Sequence, residues 1–531
     1  MSQGVASIQV GQLMVVGFKG KIAPEGIIDL IHRHRIGGII LFSHNVGTPQ
    51  ELLSLTSSLQ REAQKAGYEY PLLICLDQEN GVVRRLGKGA TTFPGAMSIG
   101  ATANIENAFD ISLATGKELK ELGVNWNLAP VLDVNNNPDN PVIGVRSFGE
   151  NPHLVAEFGK NAMKGLQNAG VITTLKHFPG HGDSNVDSHL SLPVIGHRRA
   201  RLDEVELVPF HACIAEGADT IMSAHVYFPA IEDRENVPAT LSKKVISGLL
   251  REELGFDGVV TTDCLEMKAI SETIGTEKGA VEALNAGVDL VMVSHTHEVQ
   301  LRTIKELELA LAQGVLQEES LKASLNRINR LKEKYLSWEK TPFHSEFVSL
   351  GSEEHKILAE KVFQESVTIV KNEGLLPLQM DQTILVINPP NQTIYGVEDV
   401  KEIKTTLSDA MKEFSNQVEA YDLPTSFTLK EMDLLIQRAK EFDVIVIGTL
   451  SVSATSYEIE LFNRLLKLGI PVVGVAMRNP YDLRFFPDVT AYLATYEFTY
   501  LALRTAAQAI FGKVSVSGKL PVTLLETKTT F

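Results

Sequence analysis

The chain runs to 531 residues, with 44% hydrophobic and 21% charged side chains and a formal net charge of -16 at pH 7. That length exceeds what one core usually supports, so two or more domains are expected, and the composition excludes a disordered chain. An acidic surface repels nucleic acid and anionic membrane, so neither is an expected partner, whereas a small, locally recognised molecule is.

No basic segment precedes the apolar stretch Leu13 to Phe18, which is too short for a secretory core or a spanning helix. A cytoplasmic chain is the expectation. Short apolar runs then recur at 12–17, 36–42, 72–77, 124–134, 171–175, 220–226, 259–263 and 290–294, separated by stretches of helical period. Eight buried strands alternating with helices predict an α/β fold built on a (β/α)8-type barrel, with an open doubly wound sheet as the competing arrangement. Polar residues gather just after these runs: Asp77, Gln78 and Glu79, then Arg146, then Lys176 to His189, His225, Asp263, and Ser294 with His295. In a barrel those strand ends share one face, so the scattered residues converge.

Leu321, Leu325, Ile328, Leu331 and Tyr335 at helical spacing close a first domain, set at 1–338, and a polar connector follows. The connector is set at 339–360. Further runs at 383–388, 444–450, 471–477 and 490–495 predict a second α/β domain over 361–531, a sandwich around a mostly parallel sheet. It carries neither GxGxxG nor GxxxxGK[ST], so nucleotide binding has little support. Three cysteines, Cys75, Cys213 and Cys264, lie in apolar contexts and suit reduced core thiols.

The segment KHFPGHGDSNVDSHLSLP, 176–193, concentrates three histidines, two aspartates and a lysine after a buried run. Such groups are costly inside a protein unless paired, which marks a site rather than packing. Asp187 and His189, one residue apart, can project from the same side of an extended loop. A carboxylate beside an imidazole fixes its tautomer and favours its protonated form, as a general acid near neutral pH requires. Asp263, at the end of an apolar run, is a candidate nucleophile or charge stabiliser, with a helix N-cap as the alternative. Asp77, Arg85 and Arg146 supply a carboxylate and guanidinium groups of the kind that grip sugar hydroxyls or an acidic substituent, and Lys176 and His177 can donate to hydroxyls from a strand end. His295 and His297, with His177 and His181, raise a metal-dependent hydrolase as an alternative, although their spacing matches no helical metal motif. No metal or other cofactor is expected. A non-catalytic sugar-binding protein is the alternative from a different class.

These residues bring a family into view. The stretches LDQENGVVRRL (76–86), GVRSFGENP (144–152), KHFPGHGDSNVDSH (176–189), GFDGVVTTDCLEM (255–267), SVTIVKNEGLLPL (366–378) and GKLPVTL (518–524) resemble bacterial-type family 3 glycoside hydrolases over nearly the whole chain. The PGHG and DSH elements resemble the β-N-acetylglucosaminidase branch. The resemblance implies Asp263 as nucleophile of a retaining exo-hydrolase, His189 as general acid/base and Asp187 as its orienting partner. It also implies that Asp77, Arg85, Arg146, Lys176 and His177 hold a terminal GlcNAc, with His225 added from its strand-end position. The implied substrates are peptidoglycan fragments or chitooligosaccharides. Asn80 and Val82 depart from the common DQEGG-R pattern but leave Asp77 and Arg85 in place. A histidine standing where retaining glycosidases usually carry a second carboxyl leaves phosphorolysis as a variant, because a neutral imidazole repels an anionic acceptor less. The glycines of the loop are expected to let His189 swing during the reaction.

Overall fold

The structure is a computed structural model, and it describes residues 8–343, 346–390 and 405–524. The outer ends of the expected domains, 1–7 and 525–531, lie outside the described residues. The eight apolar runs become eight parallel strands: β1 (Met14–Val16), β2 (Gly38–Ile40), β3 (Leu73–Leu76), β4 (Trp126–Asn127), β5 (Ile172–Phe178), β6 (Thr220–Ser223), β7 (Val259–Cys264) and β8 (Leu290–Val293). They close into a barrel in sequence order, β8 pairing back onto β1 through Met14 opposite Val291. Almost every strand residue is buried, as expected of strands covered by helices outside and packed side chains within. Polar side chains inside are paired: Trp126 Nε1 donates to Thr174 Oγ1 at 2.6 Å, and the Thr174 and Thr220 hydroxyls lie 2.7 Å apart.

The helices are placed by local signals. Thr48 forms a capping box at the start of Pro49–Lys65, with proline in the first turn, and Asn151 caps Pro152–Ala169. Gly170, at φ 80°, ends the second of these, a conformation glycine adopts at no steric cost.

A second sheet of six strands follows: β9 (Thr368–Asn372), β10 (Ile384–Asn388), β11 (Val418–Asp422), β12 (Val444–Thr449), β13 (Val472–Ala476) and β14 (Ala491–Ala494). Their order is β9-β14-β13-β12-β10-β11, all parallel except β9, and apolar clusters cover both faces. β9 and β11, which no apolar run foreshadowed, are edge strands in which only Thr368 is fully buried, so their sequences TIVKN and VEAYD can carry polar residues. The expected connector ends inside a helix, Glu353–Ser366, whose Ala359, Val362 and Phe363 pack against Phe93, Phe148 and Phe158 of the barrel domain. His355 on that helix hydrogen-bonds Glu118 at 2.8 Å, so this part of the connector is docked structure.

Candidate active site

A cavity of about 340 Å³ opens at the ends of the barrel strands. Its floor is a buried ionic cluster. Asp77, just past β3, accepts from Lys176 Nζ at 2.7 Å and from Arg85 Nη2 at 3.0 Å. A hairpin, Gln78–Asn80 with Val83–Arg84, turns Glu79 beneath the same lysine, at 2.6 Å. Arg146 grips Glu79 with two parallel bonds, Nε to Oε2 and Nη2 to Oε1, both 2.8 Å. Burial raises the pKa of each carboxyl, but the neighbouring cations win: Asp77 falls well below the usual carboxylate range and Glu79 falls to about 2. Both are anions, and Lys176, 1% exposed, remains a cation because those anions outweigh its own desolvation.

The histidine-rich segment divides by partner. His177 Nδ1 lies 2.7 Å from Oδ2 of the fully buried Asp133, whose Oδ1 accepts from the backbone N–H of His177 and of His181 at 3.2 and 2.7 Å. His181 is buried with its ring nitrogens against Ser184 and Ser188, at 2.8 and 3.0 Å, and burial lowers its pKa to about 4, leaving a neutral ring. Gly182 faces the Val134 carbonyl too closely for any Cβ, and a Cβ on Gly180 would meet Glu206 Cβ at 2.9 Å. These glycines thus serve close packing, and the stretch forms the scaffold at the base of the loop.

Beyond that anchor, Asp187 Oδ1 accepts from the backbone N–H of His189 at 2.8 Å and lies 2.7 Å from its Nδ1. Asp187 sits behind the imidazole, while His189 lines the cavity with over a third of its side chain exposed. Burial opposes protonation of His189, but the Asp187 bond and the Asp263 charge prevail and raise its pKa above 6.5. The Nδ1–H is committed to Asp187, so Nε2 is the nitrogen left to give and take a proton.

Asp263, within β7, faces the same cavity. Burial raises its pKa, and the His225, His177 and His189 imidazoles outweigh that and hold it below the usual range. Its Oδ1 accepts from Cys264 N at 2.7 Å, and the next helix, Lys268–Ser271, is capped by Met267, which excludes the N-cap alternative. His225 is not among the cavity-lining residues. It is 1% exposed, with Nδ1 2.8 Å from Thr240 Oγ1 and Nε2 3.1 Å from the Cys264 carbonyl, so it supports the backbone beside Asp263 instead of meeting a ligand. Its strand-end position placed it one layer too far forward.

The remaining histidines separate. His295 packs on Phe42, with ring centroids 5.1 Å apart, whereas His297 packs beneath Gly26. Among the described residues no group of three or more His, Cys, Asp or Glu side chains is arranged to hold a metal ion. Cys264 lines the cavity, but burial pushes its thiol up to about 12, so it is protonated and unreactive at neutral pH. Two charged groups acquire a role only in the fold: Glu79, which the sequence places at a strand end without assigning it a task, and Asp133, which the sequence does not single out. The signal for Asp133 was a lone carboxylate within the apolar stretch Pro130-Val131-Leu132-Asp133-Val134.

Residues 7–331 match the Glycosyl hydrolase family 3 N terminal domain, and residues 367–531 match the Glycosyl hydrolase family 3 C-terminal domain. The chain is 34% identical to Beta-hexosaminidase A of Pseudoalteromonas piscicida over 94% of this chain and 91% of that protein. It is 36% identical to Beta-hexosaminidase of Xylella fastidiosa (strain M23) over 53% of this chain and 83% of that protein. A solved glycoside hydrolase family 3 beta-N-acetylglucosaminidase from Paenibacillus sp. str. FPU-7 superposes with a TM-score of 0.92 at 39% identity, covering 97% of this chain and 98% of that one.

Proposed function

The chain belongs to glycosyl hydrolase family 3, and from that premise we propose that it is a retaining exo-β-N-acetylglucosaminidase. Its proposed substrates are peptidoglycan fragments or chitooligosaccharides that end in β-linked GlcNAc. The observation that carries this reading is the His189–Asp187 pair at 2.7 Å beside an anionic Asp263, in one cavity floored by charged groups. The cavity is at the small end of ligand pockets, which suits a terminal sugar over an internal stretch of chain. Asp77, Arg85, Arg146, Lys176 and His177 hold the sugar hydroxyls. Asp263 attacks the anomeric carbon while His189 Nε2 protonates the departing oxygen, giving a glycosyl ester and a free aglycone. The now neutral His189 then takes a proton from water, which attacks the ester and releases GlcNAc with the β configuration restored.

Incubation with a β-GlcNAc disaccharide, with and without inorganic phosphate, tests the reaction. Free GlcNAc under both conditions is expected; GlcNAc 1-phosphate would make the chain a phosphorylase, and no cleavage would make it a binding protein.

Two variants read the proton transfer. His189→Ala is expected to lower kcat/KM for a disaccharide by about 10²- to 10⁴-fold, the usual worth of general acid catalysis, and to affect a nitrophenyl glycoside far less. Equal losses on both substrates would argue against the acid role. Asp187→Asn removes the bonded carboxylate that raises the pKa of His189 and leaves the Asp263 charge alone against burial, so the pKa falls. The acid is active below its pKa, so the alkaline limb of the kcat/KM profile is expected to move to lower pH, by about one unit or more. An unmoved limb would detach Asp187 from the titration.

A further inference from the structure

Among the described residues, every side chain lining the cavity belongs to the barrel domain, yet Glu79, Val83 and Arg146 sit on segments that the second domain holds. Val82 and Val83, from the hairpin that carries Glu79, and Val145, next to Arg146, share one apolar cluster with Tyr481, Tyr496 and Val522. Further along, Glu150 N donates to the Pro521 carbonyl at 3.1 Å, and its carboxylate accepts from Thr523 N at 2.8 Å. Asn135 donates to the Tyr481 hydroxyl at 3.0 Å.

At the centre of this contact lies a buried acid. Glu497, 1% exposed and just past β14, accepts through Oε1 from Gly95 N at 2.9 Å and Ser98 Oγ at 3.1 Å. Its Oε2 accepts from Thr499 Oγ1 at 2.9 Å. Gly95 is stacked on Gly81 of the hairpin, where a Cβ would come within 2.8 Å of Gly95 Cα. Glu497, Gly81, Glu79 and Arg146 all border one small interior cavity. Apolar contact alone would hold two domains together. A buried carboxylate is expensive and instead fixes direction, because each of its acceptor sites demands a donor in one place.

We propose that Glu497 is a positioning residue through which the second domain fixes Gly95 and Gly81, and thereby Glu79 and the Arg146 that it orients towards the sugar. This rests on the reading of Arg146 as a sugar-holding group.

The test is steady-state kinetics of the full chain on p-nitrophenyl β-GlcNAc. Glu497→Ala is expected to raise KM by about tenfold, since small misplacements of binding groups are costly, with kcat changing less because Asp263 and His189 are untouched. Glu497→Gln keeps Oε1 as acceptor and is expected to return KM to within about twofold, the weight of one altered neutral bond. A role confined to adhesion would lower the melting temperature and leave the KM of the folded enzyme unchanged. A folded Glu497→Ala with the original KM overturns the proposal. Should that variant fail to fold, Ser98→Ala removes one donor to the same carboxylate; a raised KM supports the proposal and an unchanged KM overturns it. No turnover by the unaltered protein would remove the catalytic reading itself, an outcome distinct from either.

Discussion

Replacing Asp263 by alanine is expected to lower kcat by about 10⁴- to 10⁶-fold, the scale on which removal of a covalent nucleophile is felt. The carboxylate is the anionic group that β7 presents to the cavity, and three imidazoles keep it ionised against the cost of burial. Without it no ester forms, and water must displace the aglycone directly from a site shaped for another path. Azide, small enough for the vacated space, is expected to restore part of the turnover and to yield the glycosyl azide of inverted configuration. The checks are initial rates with and without azide. A variant retaining more than about a tenth of its activity would exclude the nucleophile assignment, because a merely supporting group costs that little.

Replacing Glu79 by alanine is expected to cost about 3–5 kcal/mol of stability, as breaking a buried ion pair does, and to weaken sugar binding as well. In the intact cluster two carboxylates, Asp77 and Glu79, face Arg85, Arg146 and Lys176. Without Glu79, three buried cations share one anion, and Arg146 loses both of its parallel bonds. The sign with pH follows from the depressed pKa. Burial alone would raise it, but Arg146 and Lys176 bring it from 4.5 to about 2, so the contribution is complete above the unfolded value and is lost as pH falls through the folded one. The gap in urea stability between the parent and Glu79→Ala is therefore expected to be widest near neutral pH and to narrow between about pH 4.5 and 2. A gap below about 1 kcal/mol at neutral pH would mean that the cluster behaves like an exposed pair.

The barrel was legible because each of its strands is buried on both faces and so appears as a continuous apolar run. The same logic hid β9 and β11, whose edge positions allow polar residues. In the site, Asp77, Arg85, Arg146, Lys176, His177, His189 and Asp263 all line the cavity, and Asp187 stands directly behind His189. Their types and their positions after apolar runs carried that information. What the sequence could not convey was depth. Glu79 reads as one more acid in DQEN until the hairpin folds it under Lys176, and Asp133 reads as an irregularity in an apolar stretch until it receives both His177 and the His181 backbone. His225 shows the converse, since a strand-end position gives no indication that the ring turns to Thr240 and the Cys264 carbonyl. The close contacts made by the glycines at 180 and 182 were likewise not readable from the sequence.

The proposed reaction turns on a covalent glycosyl ester on Asp263 formed with proton transfer by His189. Its most direct test is acid quenching of His189→Ala during turnover of p-nitrophenyl β-GlcNAc, followed by peptide mass mapping. The activated leaving group departs without an acid, whereas water lacks its base, so the intermediate is expected to accumulate. One GlcNAc unit is expected on the peptide that contains Asp263. A GlcNAc unit on any other residue, or release of nitrophenol with no labelled peptide and no burst, would contradict it.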